Sequence, residues 1–138
     1  MHRSMSLLAL ALAGLCACVS TNAAVLNPSA KLPSVCADGV QLFTSADKVG
    51  KDYQEVALLN SKGESSWTSE QGMYNSQRKK AAALGANGII LNAINEPKPG
   101  TKIIGAVLGT GTERKGSALA IYIPADSERV RSACVKRA

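Results

Sequence analysis

Lys79-Lys80-Ala81-Ala82-Ala83-Leu84-Gly85-Ala86-Asn87-Gly88-Ile89-Ile90-Leu91 changes period partway along. Up to Leu84 it belongs to a helix. Tyr74, Ala81 and Leu84 share one face at helical spacing, and Thr68 with Gln71 three residues later predicts a capping box at the start. Gly85 suits the left-handed position just past a helix end. From Gly88 the residues turn to strand formers, Ile89-Ile90-Leu91-Asn92-Ala93-Ile94.

Working outward, Glu96-Pro97-Lys98-Pro99-Gly100 is a loop, and two further strands are predicted over Lys102–Leu108 and Ser117–Ile123. The central runs are apolar on successive residues, as strands covered on both faces require. Pro124 stops the last strand, and Asp126 is placed to cap a C-terminal helix carrying Val130, Ala133 and Cys134. Upstream, Gly39–Phe43 and Tyr53–Leu59 are strand candidates, the second ended by the turn-rich Asn60-Ser61-Lys62-Gly63. The order β-β-α-β-β-β-α predicts an α+β fold. A mostly antiparallel sheet of about four to five strands should be packed by one main helix and a C-terminal helix. No internal repeat or low-complexity tract is visible.

The N-terminus reads as a leader. Met1-His2-Arg3 is weakly basic, Leu7 to Leu15 is apolar, and small residues follow. The apolar run is well short of the ~20 residues that cross a bilayer. Leu15-Cys16-Ala17-Cys18 has the form of a lipobox, with Leu at −3, Ala at −1 and lipid attachment at Cys18. The rival is ordinary cleavage after Ala23 or Ala24, which gives a soluble periplasmic domain. Val19, rather than Asp, at +2 points to the outer membrane. A single acyl chain anchors only marginally, and a cysteine carrying several chains meets that need.

Of four cysteines, Cys16 leaves with the leader and Cys18 is removed or lipidated, so Cys36 and Cys134 remain. In an oxidising compartment an even pair implies a disulfide; the alternative is two unrelated buried thiols. The expected organisation is a signal peptide over 1–17, a lipid-anchored tether over 18–34 with two Pro-Ser turns, and one α+β domain over 35–138. About 100 residues is enough for one core.

The helix-to-strand stretch over residues 79–91 resembles that of small bacterial envelope lipoproteins, in which a helix ends in an A-x-x-L-G-A-N turn and enters a strand. The lipoprotein that senses envelope damage for the Rcs phosphorelay is similar at a greater distance, over residues 50–123. That sensor has two disulfides in its domain, whereas this domain has cysteines for one. The resemblance implies fold and location and carries no functional residue.

Other motifs give no specific chemistry. Gly111 to Gly116 has phosphate-loop spacing, but Ser117 stands where the lysine is needed and opens a strand instead of a helix. Arg78-Lys79-Lys80 spreads around a helix end, where cations suit the dipole. Losing Arg3 with the leader takes one from 16 basic side chains against 10 acidic ones, so the chain stays cationic. Aromatics for base stacking are scarce, which argues against nucleic acid. The sole histidine, His2, lies in the leader. Asp126 and Glu128 are explained by capping, Asp47 and Asp52 sit in a loop, and Glu55 points outward from a strand. Trp67 and Tyr74 are core or cap residues. No catalytic residue, cofactor or metal site is expected.

These readings converge on an outer-membrane lipoprotein acting without catalysis as an envelope binding or interaction module. Its contacts would be the membrane through its lipid and an envelope protein, lipopolysaccharide or peptidoglycan. The alternatives are an envelope-stress sensor of the Rcs type and a soluble periplasmic enzyme.

Overall fold

A computed structural model describes residues 19–29, 31–64, 68–95 and 113–136. Among them five strands form one sheet: β1 (Ser20–Val25), β2 (Gln41–Phe43), β3 (Gln54–Glu64), β4 (Gly88–Asn95) and β5 (Glu113–Tyr122), in the order β1-β3-β5-β4-β2. The pairs β1–β3, β3–β5 and β4–β5 are antiparallel, and the short edge pair β2–β4 is parallel. Two α-helices accompany it, α1 (Glu70–Ala83) and the C-terminal α2 (Ser127–Val135). The α+β class, the mostly antiparallel sheet and both helices are as expected.

Helix α1 covers one face of the sheet with Met73, Gln77, Ala81 and Ala82. Alanines meet alanines here: Ala81 and Ala82 share a core with Ala57, Ala118 and Ala120, alongside Leu59 and Ile89. Small side chains on both sides let helix and sheet approach closely. On the opposite face a second core forms at one end only. Phe43, Ile90, Ile121 and Ile123 are joined there by Val49 and Tyr53 from the segment between β2 and β3. The successive apolar residues Ala120 and Ile121 thus serve different cores, as strands covered on both faces require.

Gly85 is left-handed at φ +79°, and Ala86 N–H and Gly85 N–H donate to the carbonyls of Ala81 and Ala82. That double bond pattern is the Schellman end expected of a glycine there. A Cβ at Gly85 would lie 2.4 Å from Leu32 Cβ and 2.8 Å from the Pro33 carbonyl oxygen, so space as well as φ demands glycine.

Several expectations are corrected. The cap of α1 is Ser69, whose hydroxyl accepts from Gly72 N–H at 3.0 Å; Thr68 is instead buried against the sheet. Asn60–Gly63 does not turn: β3 runs on to Glu64 because β1 and β5 pair with it on either side. Gly39–Phe43 divides into a 3-10 turn, Ala37–Gly39, and the strand Gln41–Phe43. The last strand starts at Glu113, before Ser117. Within the stretch 18–34 taken as a tether, Ser20–Val25 forms the edge strand β1. The strand expected over Lys102–Leu108, and the loop before it, lie outside the described residues.

Candidate functional site

Among the described residues nothing packs over part of the sheet's second face along β1, β3 and β5, and the strand register sorts that face into rows. Ala24, Leu58 and Leu119 stand side by side nearest the second core. Asn22, Asn60 and Ser117 make the next row, and Ser20, Lys62 and Lys115 the one beyond. Glu64 and Glu113 close the end. Across four rows the chemistry passes from apolar through amide and hydroxyl to charged.

A shallow depression of about 390 Å³ follows these rows, lined by Asn22, Asn60, Lys62, Glu113, Lys115 and Ser117. Glu113 holds both amines loosely, Lys62 at 3.6 Å and Lys115 at 3.8 Å, with all three side chains about half exposed or more. Exposed pairs of this kind contribute about 0–1 kcal/mol. Amides, a hydroxyl and two weakly held amines make a surface for hydrogen bonding a polar partner.

The other side of β1 fixes it to the domain. Thr21 Oγ1 lies 2.9 Å from Ser61 Oγ on β3 and 2.6 Å from Ser76 Oγ on α1. Ala23 packs on the helix-side core, and Leu26 N–H donates to the Val56 carbonyl just past the strand. Sheet pairing and helix contact together make β1 part of the folded unit.

At the opposite end of the sheet, Asp126 is buried with its carboxylate paired to Lys51 and Arg129. Burial alone would raise its pKa, but hydrogen bonds from Lys51 and Arg129 outweigh that and hold it below the usual carboxylate value. Arg129 also donates to the carbonyls of Gly39 and Asn87. The Asn87 side chain accepts from Ile123 N–H at 2.7 Å and donates to Ile123 O at 2.8 Å, completing the network. Here Asp126 departs from the capping role expected of it: it precedes α2 but makes no side-chain cap bond.

Cys36 and Cys134 form the expected disulfide, with Cα atoms 5.6 Å apart. Cys18 and Trp67 lie outside the described residues. Glu113 to Gly116, part of the glycine-rich stretch, is strand, which removes the helix start that phosphate binding requires. Lys79 is exposed and Lys80 half-buried near the end of α1. Glu128 pairs with Arg131 at 2.9 Å, Asp47, Asp52 and Glu55 are exposed, and Tyr74 is half-buried. Among the described residues no three His, Cys, Asp or Glu side chains group as metal ligands. None of the described helices is long and apolar enough to cross a membrane.

No protein-family model matches the chain, and no curated protein matches it. Among solved structures it is similar to a Francisella virulence factor, FvfA, known from an orthorhombic crystal form. The TM-score is 0.52 at 13% identity, over 75% of this chain and 97% of that one. A likeness at that identity is one of fold.

Proposed function

We propose that the chain is an envelope lipoprotein cut before Cys18, held on the outer membrane by lipid, and acting without catalysis as an interaction module. One observation carries this reading: Ser20–Val25 is a paired strand of the fold. Cleavage after Ala23 or Ala24 would cut through β1, discard Thr21 with its contacts to Ser61 and Ser76, and expose the edge of β3. Cleavage before Cys18 leaves the sheet whole. The leader therefore ends where the fold begins only in the lipobox reading.

The open rows of β1, β3 and β5 are the surface through which the module acts. They offer amide, hydroxyl and amine groups in a shallow depression, which suits adhesion to a polar surface.

Membrane fractionation of Cys18→Ser tests the anchor. The variant should leave the membrane fraction and remain folded, with its Cys36–Cys134 bond intact. Unchanged membrane retention would overturn the lipid anchor. An N-terminus at Ala24 or Val25 in the wild-type protein would overturn it equally.

A further inference from the structure

We infer that the lysine end of the open face lies against the headgroup layer of the membrane that carries the anchor. Lys62 and Lys115 there take lipid phosphates as ligands, and Glu113 takes the headgroup amine. This rests on lipidation of Cys18 and names the partner of the open face.

Covalent reach carries the placement. Val19 is the only residue between Cys18 and β1. Extended chain spans at most about 3.3–3.6 Å per residue, so Ser20 stands within ~7 Å of the lipidated residue. Ser20 is level with Lys62, and Lys62 with Lys115. With strands about 4.8 Å apart, the whole lysine row lies within ~10 Å of Ser20 across the sheet. From Ser20, β1 runs away from the anchor toward Val25, level with Ala57. The apolar row therefore stands farther out, and the disulfide end farther still. A long tether would let any part of the domain meet the membrane, but with Val19 alone before the strand the lysine row stays within about 17 Å of Cys18 however the domain turns.

The chemistry at that end matches the place. Lys62 and Lys115 are half exposed or more, and among the described residues Glu113 pairs with them at 3.6 and 3.8 Å. Ammonium groups bind phosphate oxygens by charge-assisted hydrogen bonds. Glu113, paired with both lysines, sets a carboxylate beside the two amines. Paired amines and carboxylates complement a zwitterionic headgroup bearing both phosphate and amine, of the phosphatidylethanolamine kind, better than a purely anionic one.

Photo-crosslinking of the lipid-modified full chain in vesicles containing phosphatidylethanolamine tests the inference. A photoreactive residue at position 60 should give at least fivefold more lipid adduct than one at position 135, where Val135 is exposed on α2. Equal adducts, or more at position 135, would overturn the orientation. Adding Lys62→Gln and Lys115→Gln should lower the adducts at position 60 at least threefold, with the thermal melt unchanged. Undiminished adducts would remove the lysines as phosphate ligands. The two readings fail differently: a wild-type protein that never partitions into membranes breaks the anchor. A membrane-bound protein with adducts elsewhere breaks only the orientation.

Discussion

The two ends of the sheet are built by opposite rules. At the end where β1 begins, charges are paired loosely in water and β1 is held by backbone pairing and hydroxyl contacts. At the other end a disulfide, a buried carboxylate and a buried amide tie three separate segments together. Groups committed to internal partners cannot bind anything else, so stability and availability are divided between the ends. The firm end holds the fold, and at the loose end Lys62 and Lys115 are only weakly held by Glu113 and can exchange that partner.

Substitutions should follow that division. The largest effect belongs to the disulfide: replacing Cys36 and Cys134 by serine frees a loop with a sequence separation of 98. The loop-closure model gives a loss of about 4–5 kcal/mol, measurable by urea unfolding; a loss under about 1 kcal/mol would move the firm end elsewhere. Gly85→Ala comes next. A left-handed alanine costs about 1–2 kcal/mol, and the contacts with Leu32 and Pro33 add to it. A thermal melt close to that of the wild type would show that the 32–33 segment yields easily.

Asp126→Asn should cost about 1–3 kcal/mol, since the carboxylate accepts charged hydrogen bonds while buried. It also predicts a pH dependence. The folded pKa lies below the unfolded value of about 3.9, so the stabilisation is fully present above that value. It is lost as pH falls through the lowered folded pKa. Acid titrations of stability should therefore be shallower for the asparagine variant, and parallel curves would remove Asp126 from the account. The smallest effect is expected for Lys62→Gln with Lys115→Gln, within about 0.5 kcal/mol. A larger loss there would make the loose end structural after all.

The sequence was legible where one residue type has one physical use. Gly85 marks a left-handed position that other residues resist, and Ile89-Ile90 can be buried on both faces only in a covered strand. The Cys36–Cys134 pair could be read because it is the even pair that remains in the expected domain. Strand β1 was hidden because Ser20-Thr21-Asn22-Ala23-Ala24-Val25 is made mostly of small residues, polar in its first half, and shows no run of strong strand formers. An edge strand covered on one side by Thr21 and Ala23 needs no apolar run. Asn60–Gly63 misled for a related reason: turn-forming residues become strand when neighbours on both sides supply hydrogen bonds, a tertiary effect stronger than propensity. Asp126 sits where a cap belongs, but its partner Lys51 is 75 residues away. No local spacing announces that pair, and the open polar rows emerge only when three strands are set in register.

The position of β1 also decides how the domain bears a load. Hydrogen bonds between antiparallel strands run across the strand direction. A pull on residue 19 along β1 therefore shears the β1–β3 bonds together, from Ser20 to Val25, instead of peeling them off one by one. Under the proposed lipid anchor, β1 would be the mechanical coupling of the domain, and a tug from the membrane would be shared along the strand before the core is disturbed.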